Sequence, residues 1–221
     1  NSQFIVQTGE QETALNLLNV KPILQVYNMH PILDISIMSH INQKLENKVS
    51  HVVWVANIKK IKQLEVFIEL ATRFQDNSSL HFDLIGSIQD PDYAQPILER
   101  MASLKNITHY QGKDNIFVND FLLNKASLVI NTSISEGFSN VFIQSWLRGV
   151  PVLSLNSDPD KIFVKQPMLG TCTYGSIEQL NDGVLQLLEP KGYKMRALNC
   201  FEISSKLFSF ENIKRIQQLL Q

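Results

Sequence analysis

A carboxylate and an amide stand eight residues apart in the segment SISEGFSNVFIQ, and both could contact a ligand. Glu136 follows an apolar run, SLVIN, and Gln144 lies on a stretch with helical character. A helix that starts at Ser139 or Asn140 would present unsatisfied backbone N–H groups, which form an anion site well suited to a phosphate. Glu136 would repel a phosphate but could accept hydrogen bonds from sugar hydroxyls, and Gln144 could offer a donor and an acceptor to a ribose. This is the order of groups in a nucleotide-sugar: sugar, diphosphate, ribose.

Two glycines fit this arrangement. Gly137 would let the backbone approach a ligand closely, and Gly149 ends the helix just before the next apolar run, VPVLSL. A plainer alternative is that Glu136 caps the helix and Gln144 is solvated. The spacing alone leaves both interpretations open.

The segments that must position these residues alternate between short apolar runs and helical patterns. The predicted strands are 22–27, 51–56, 80–86, 106–112, 127–133, 150–155 and, with a weaker pattern, 170–175. The predicted helices lie near 61–75, 91–104, 115–125, 139–148, 176–189 and 191–218, the last one broken. Strands rich in Val and Ile without strict alternation indicate a parallel sheet covered on both faces. We therefore predict an α/β fold with a doubly wound parallel sheet of Rossmann type, which binds ligands at the carboxyl ends of its strands.

The N-terminal stretch fits this alternation less well, because FIVQTGEQETALNLLNV is typical of a short strand, a turn and a helix. We expect residues 1–20 to be the end of a preceding domain and a linker, 21–205 to be the Rossmann-type domain, and 206–221 to be a C-terminal helix. The chain begins at Asn1 rather than at a methionine, so we expect it to be part of a longer or processed protein.

Composition excludes several classes of protein. The 221 residues are 44% hydrophobic with a formal net charge of −1. The lysines and arginines are scattered along the sequence and do not form a basic cluster of the kind that binds nucleic acid. The apolar runs are far shorter than the roughly 18 residues of a membrane span. Signatures of α/β-hydrolases, P-loop proteins and dinucleotide-binding dehydrogenases are missing. A nucleic-acid-binding or membrane-spanning role is therefore not expected.

The sequence DPD occurs twice and raises the question of a divalent cation. At 90–92 we expect capping instead, with Asp90 as N-cap, Pro91 at the first helical position and Asp92 near the positive end of the helix dipole. At 158–160, Ser157 or Asp158 with Pro159 can cap in the same way, but a ligand-facing role is more open there, because that loop follows the carboxyl end of a predicted strand.

Cysteine and histidine spacing offers no metal-ligand pattern. Cys172 and Cys200 are predicted to be reduced thiols that pack as small hydrophobic groups. The histidines are predicted to be hydrogen-bonded structural residues; they are His30, His40, His51, His81 and His109.

A family resemblance sharpens this interpretation. The segment EGFSNVFIQSWLRGVPVLSL resembles the E-x7-E region of retaining glycosyltransferases of family 4, which have the two-domain GT-B architecture. In that pattern Gln144 replaces the second glutamate. The matching residues are Glu136, Gly137, Phe138, Gly149, Pro151 and Val152.

Upstream, VVWVANIKKIKQLEVFIELA is similar to the strand and Gly-Arg-x4-Lys motif of the same family. Lys62 matches the lysine, while Ala56 and Asn57 replace the usual glycine and arginine. Further matches are Gly86 in FDLIGS and Gly112 in ITHYQGKDNI. The resemblance covers roughly residues 20–221 and implies the C-terminal, donor-binding half of a GT-B enzyme.

The resemblance implies roles for individual residues. Glu136 would hold hydroxyls of the donor sugar, and Lys62 would neutralise the leaving diphosphate, so these two are the catalytic candidates. Asn57 takes the place of a second cation; Lys59 or Lys60 could compensate, although both are expected to be solvated residues. The remaining donor-binding candidates are Gly137, Phe138, Ser139 and Asn140 at the helix start, Gln144 facing the ribose, and Gly112 with Lys113 at the base.

The implied activity is transfer of a sugar from a nucleotide-sugar to an acceptor sugar or lipid-linked glycan, with retention of configuration and without a metal or other cofactor. Such a hexosyltransferase would act in cell-surface polysaccharide or glycoconjugate synthesis, in the cytoplasm or at the cytosolic face of the membrane. It would need the missing N-terminal domain, so the chain alone is expected to be inactive. The alternatives are a nucleotide-sugar-binding domain without transferase activity and, less well matched, a sugar-nucleotide epimerase.

Overall fold

Strands and helices alternate along the chain in the computed structural model, which describes residues 4–20, 24–32, 36–210, 213–214 and 216–217. The strands are β1 (Ile5–Val6), β2 (Leu24–Gln25), β3 (Ser50–Val55), β4 (Leu80–Ile85), β5 (Ile107–Tyr110), β6 (Ala126–Asn131), β7 (Val152–Ser154) and β8 (Gly170–Cys172). The helices are α1 (Gly9–Leu17), α2 (Ile37–Glu46), α3 (Leu64–Arg73), α4 (Pro91–Met101), α5 (Asn115–Asn124), α6 (Asn140–Trp146), α7 (Ile162–Lys165), α8 (Ile177–Leu187) and α9 (Pro190–Leu207). Short 3₁₀ turns lie at Lys60–Lys62, Pro159–Lys161 and Pro167–Leu169.

Six strands form one parallel sheet in the order β5-β4-β3-β6-β7-β8. The chain builds outward from β3 through β4 to β5, then returns to pair β6 against the other side of β3. The direction of winding therefore reverses between β3 and β6, and open α/β sheets bind ligands in the crevice at such a switch point. The predicted doubly wound Rossmann-type fold is confirmed.

Both faces of the sheet are covered, which explains why the strands are apolar without strict alternation. Val52 and Trp54 of β3 point into a core under α3, α4 and α8. Val53 points to the opposite face, into a second core formed with α5, α6, α7 and α9. The central strands β3, β4, β6 and β7 each contribute apolar side chains to both cores.

Three of the described elements differ from the prediction: β2, α2 and the short helix α7, which was not predicted. The predicted strand 22–27 is described as a strand only at Leu24–Gln25, which pairs with Ile5–Val6 in a separate parallel pair. Since β4 and β6 already occupy both edges of β3, the main sheet has no central place for it; residues 21–23 lie outside the described part. Helix α2 was not predicted, and it buries Ile37 and Ile41 against Tyr193 and Ala197 of α9.

The other predicted strands and helices are found within a few residues of their expected positions. Helix α9 ends at Leu207, and 213–214 and 216–217 are helical again, so the last helix is interrupted as expected. Among the described residues, no helix is both long and apolar enough to cross a lipid bilayer.

Candidate active site at the sheet switch point

The loops that leave β3 and β6 contact each other directly above the switch point. The Ile134 N–H donates to the Ile61 carbonyl at 3.0 Å. The Thr132 hydroxyl donates to the Lys62 carbonyl at 2.7 Å and accepts from the buried Trp54 indole N–H at 2.9 Å. These contacts fix the two loops side by side, although they are 70 residues apart in sequence.

Glu136 and Lys62 form an ion pair at this point. Lys62 Nζ lies 2.5 Å from Glu136 Oε1, and the two side chains are only 18% and 17% exposed. The same oxygen accepts from the Ser133 hydroxyl at 2.7 Å and from the Asn131 amide at 3.3 Å. The structure therefore brings together the two residues that the sequence assigns to catalysis, and it adds two donors that sequence reasoning missed. A signal for them existed, since both are polar residues at the end of an apolar run.

The contacts leave one side of the Glu136 carboxylate available. Within the described residues, all three donors reach Oε1, and no group donates to Oε2. Gly137 is exposed, and a side chain at this position would meet no atom of the chain within 4 Å. Internal packing therefore does not require a glycine here, and the space beside the Gly137 backbone is open to a ligand.

The other side of the turn is anchored in the core. Phe138 is 5% exposed, and its ring centroid lies 4.8 Å from that of Tyr27 and 5.4 Å from that of Phe208. This aromatic packing holds Phe138 inside while Gly137 and Glu136 face outward. The residue thus supports the turn from beneath, and its side chain has little surface to offer a ligand.

A cleft of about 500 Å³ opens above the Lys62–Glu136 pair. One wall is formed by the strand-end loops, including Lys59, Ile61, Ser135 and Gly137. The opposite wall is formed by the first turns of α1 and the residue before it; its members are Thr8, Glu10, Gln11 and Ala14. The N-terminal segment, which carries no motif of its own, therefore contributes a wall of the candidate site.

Gln144 is buried rather than solvated. Its side chain is 6% exposed, and its amide donates to Asn115 Oδ1 at 3.0 Å. The buried Arg148 reinforces this junction, since it donates to the Gln144 carbonyl and to the Asn119 carbonyl, both at 3.0 Å. Burial lowers the pKa of the Arg148 guanidinium to about 10.

Two consequences follow for the earlier interpretations. The alternative that Gln144 is solvated is wrong, and Glu136 does not cap α6, because its carboxylate accepts from Lys62, Ser133 and Asn131 instead. A ribose-facing role for Gln144 stays a prediction. Its partner Asn115 starts α5, directly after the loop that carries Gly112 and Lys113, so the proposed ribose and base residues are neighbours.

The start of α6 is held from the side by the segment 24–32. Asn140 Oδ1 accepts from the Asn28 amide at 2.8 Å and lies 3.5 Å from His30 Nε2. Burial lowers the pKa of His30. Ser139 is the N-cap residue of α6, and its side chain makes no capping hydrogen bond.

The remaining predicted donor residues are accessible. Asn57, Lys59 and Lys60 are exposed beside the cleft. Gly112 has φ +65° with open space around it, and Lys113 places its ammonium group 5.0 Å from the centre of the Phe117 ring. None of these side chains is sequestered by packing.

The two DPD segments have different partners. Asp90 accepts from the Tyr93 N–H at 3.2 Å and caps α4, with Pro91 at the first helical position, as predicted. Asp158 accepts from the Phe163 N–H at 3.0 Å and the Tyr174 hydroxyl at 2.7 Å. Asp160 reaches instead to the N-terminal segment.

Histidines and cysteines have structural environments. The buried Asp83 carboxylate lies 2.7 Å from His51 Nδ1, and burial lowers the pKa of the neighbouring His81. The other hydrogen-bonded pairs are His30 with Asn140, His40 with Asn124, His81 with Thr108 and His109 with the Gly86 carbonyl. Cys172 and Cys200 are free, buried thiols, as predicted.

Comparison with known proteins places the chain in a family. The family model "Glycosyl transferases group 1" matches residues 49–190, which is more than half of the chain. The chain belongs to this glycosyltransferase family. No curated protein sequence matches it significantly.

Solved glycosyltransferase structures show the same fold at low sequence identity. Anabaena HepE, in complex with UDP-glucose, is 16% identical with a TM-score of 0.76; the alignment covers 99% of this chain and 63% of HepE. A TarM mutant of S. aureus, in complex with fondaparinux, alpha-GlcNAc-glycerol and UDP, is 18% identical with a TM-score of 0.79 and coverages of 98% and 43%. WaaG, a glycosyltransferase involved in lipopolysaccharide biosynthesis, is 14% identical with a TM-score of 0.69 and coverages of 92% and 59%.

This glycosyltransferase chain therefore has the Rossmann-like fold of one GT-B domain. It spans less than two thirds of the length of each of these three structures.

Proposed function

We propose that this domain binds the nucleotide-sugar donor of a retaining glycosyltransferase of family 4. The observation that carries the proposal is the Lys62–Glu136 pair at the switch point, where an ammonium and a carboxylate meet at 2.5 Å beside an open cleft. A diphosphate needs a cation, and sugar hydroxyls need an acceptor, and this pair supplies both at adjacent positions.

Each group has a distinct part in the reaction. The bond between the anomeric carbon and the diphosphate oxygen breaks, a bond to the acceptor oxygen forms on the same face of the sugar, and the acceptor hydroxyl proton passes to the departing diphosphate. Lys62 stabilises the negative charge that develops on the leaving diphosphate. Glu136 accepts hydrogen bonds from the donor sugar and fixes its orientation, and no covalent enzyme intermediate is required.

Around this pair, the backbone amides of residues 137–140 would contact the sugar and the diphosphate. Gln144 would meet the ribose, and the loop of Gly112 and Lys113 would line the base. The hydrogen bond between Gln144 and Asn115 supports this arrangement, because it joins the helix that follows the sugar turn to the helix that follows the base loop.

The acceptor is proposed to be a sugar or a lipid-linked glycan in cell-surface polysaccharide or glycoconjugate synthesis, at the cytosolic face of the membrane. The partial coverage of GT-B structures supports a second domain that completes the cleft and binds the acceptor. The full-length protein would associate peripherally with the membrane, and this chain alone would bind the donor without transferring its sugar. Neither a metal nor another cofactor is assigned a part.

One pair of observations favours a second candidate, a nucleotide-sugar-binding domain without transferase activity. Position 57 carries an uncharged Asn, so Lys62 lacks the second cation that the family pattern provides. Gln144 is neutral and already bonded to Asn115. Tight donor binding by the full-length protein, with neither transfer nor slow donor hydrolysis, would identify this candidate.

A thermal-shift screen of nucleotide-sugars and nucleoside diphosphates tests donor binding, since a ligand that binds only the native state raises the melting temperature. Lys62→Ala should abolish the shift caused by the nucleoside diphosphate. Lys105→Ala is the matched control, because Lys105 is exposed and precedes β5, at the end of the parallel sheet away from the cleft. An unchanged shift in Lys62→Ala would remove the proposed phosphate role.

A further inference from the structure

The turn at Pro159–Lys161 has an unusual backbone. Asp160 and Lys161 are consecutive residues with φ of +55° each, in the left-handed region that side chains other than glycine rarely occupy. Such a conformation persists only where surrounding contacts hold it, and it is often found where a side chain must be aimed in one direction. The contacts of Asp160 show where this side chain is aimed.

The carboxylate oxygens of Asp160 bind the start of α1 and strand β2. Oδ1 accepts from the Gly9 N–H at 2.7 Å, and Oδ2 accepts from the Gln25 amide at 2.7 Å. Tyr27 belongs to the same neighbourhood, since burial and the Asp160 charge together raise the pKa of its hydroxyl to about 12. Each carboxylate oxygen of Asp160 therefore has a protein donor from a different element.

The contact with Gly9 places a negative charge at the first residue of α1, where the helix dipole is positive. Helix α1 has few other means of attachment, because none of its residues from Gly9 to Leu17 is buried. Thr8, just before the helix, is buried and accepts from the Gln11 N–H. The position of α1 therefore depends strongly on polar contacts at its first turn.

That first turn is also a wall of the cleft. Glu10 and Gln11 follow Gly9 directly, and they line the cleft opposite Lys62 and Glu136. A shift of α1 would change the space above the ion pair without moving either of its members.

We propose that Asp160 is a positioning residue that fixes α1 against the rest of the domain and so sets the shape of the cleft above Glu136 and Lys62. The structural part stands on the contacts alone, and its effect on sugar transfer rests on the proposed function. The second DPD segment thereby acquires a long-range role beside the local contact of Asp158 with the first turn of α7.

Asp158 provides a matched control on the same turn. Its oxygens bind the Phe163 N–H and the Tyr174 hydroxyl, and neither partner belongs to the N-terminal segment. Asp158→Asn should therefore disturb the turn locally, whereas Asp160→Asn should disturb α1.

Hydrogen–deuterium exchange on this chain tests the structural part. Asp160→Asn should raise the exchange rate of the α1 amides by about tenfold, as expected for the loss of a hydrogen bond to a charged group. Asp158→Asn should leave that rate at the wild-type value, and Asp160→Glu should restore part of the protection. Unchanged α1 exchange in Asp160→Asn, or equal increases in both asparagine variants, would overturn the proposal.

Kinetics on the full-length protein test the functional part. Asp160→Asn should lower kcat for sugar transfer while the Kd for the nucleoside diphosphate stays unchanged, because the Lys62 contact lies on the other wall. An equal loss of diphosphate affinity would contradict the positioning role. If the wild-type protein binds no nucleoside diphosphate, the proposed function fails, while the exchange experiment still decides whether Asp160 fixes α1.

Discussion

Replacing Glu136 by Gln should strengthen the binding of a nucleoside diphosphate. In the free domain Lys62 is held by the Glu136 carboxylate at 2.5 Å, and both side chains are more than four-fifths buried. An incoming diphosphate must share Lys62 with this carboxylate and is also repelled by it. Glu136→Gln removes the charge but keeps an oxygen that can accept from Ser133 and Asn131, so the turn should keep its shape.

The magnitude follows from the burial of the pair. A hydrogen bond to a charged group contributes about 1.5–3 kcal/mol net. We assign about 1–2 kcal/mol to the competition between Glu136 and the diphosphate for Lys62, since the ion pair keeps some solvent contact. This corresponds to roughly 5–30-fold tighter binding of the diphosphate by Glu136→Gln. The intact nucleotide-sugar should bind more weakly relative to the diphosphate, because a neutral amide oxygen accepts hydrogen bonds from sugar hydroxyls less strongly than a carboxylate does.

Isothermal titration calorimetry of wild type and Glu136→Gln, with the nucleoside diphosphate and the intact donor identified by thermal shift, measures both effects. Glu10→Gln is the control, since this carboxylate lines the opposite wall of the same cleft without an ion pair to Lys62. Its effect on diphosphate affinity should be smaller. Equal weakening of both ligands by Glu136→Gln, with an unchanged melting temperature, would refute the competition between carboxylate and phosphate.

Two further predictions concern stability. Burial lowers the pKa of Lys44 to about 7. Between about pH 7 and 10 the unfolded chain therefore binds more protons than the native chain. The free energy of unfolding should rise with pH in that window. Relative to Lys44→Met, urea unfolding should show this rise with a slope of up to about 1.4 kcal/mol per pH unit, and a constant difference between the two curves would contradict it. Gly149 has φ +65°, and an added Cβ would lie 3.1 Å from the Ala197 carbonyl oxygen. Gly149→Ala should therefore lower the free energy of unfolding by more than the roughly 1–2 kcal/mol that the left-handed conformation alone costs. Gly112→Ala, at the same φ in open space, is the control, and equal losses in the two variants would exclude a packing contribution.

The sequence predicted the strands and the turn that carry the site because their signals are local. The apolar run before Glu136 and the glycine after α6 are visible without any knowledge of strand order. The pairing of Glu136 with Lys62 was accessible only through the family resemblance, since their contact depends on β6 lying beside β3. That adjacency is a property of the topology, and no short segment encodes it.

The elements and contacts that the sequence did not predict also have physical explanations. Helix α2 carries Lys44 on its buried side, where the ammonium group donates to the carbonyls of Leu122, Ala126 and Arg148, and a buried lysine obscures the apolar pattern of a helix. Strand β2 was assigned to the main sheet because an apolar run does not specify its partner strand. The contacts of Asp160 with Gly9 and Gln25 span more than 130 residues, beyond the reach of any motif.

The junction of Gln144 with Asn115, reinforced by Arg148, has a mechanical consequence. It braces α5 against α6, so the loop before α5 and the turn before α6 belong to one stiff unit. A donor that contacts both the loop before α5 and the turn before α6 would therefore bind to two sites held at a fixed distance. The loop that carries Lys62 is tied to the same turn through Thr132 and Ile134, so any adjustment that accompanies binding is left to the wall formed by α1.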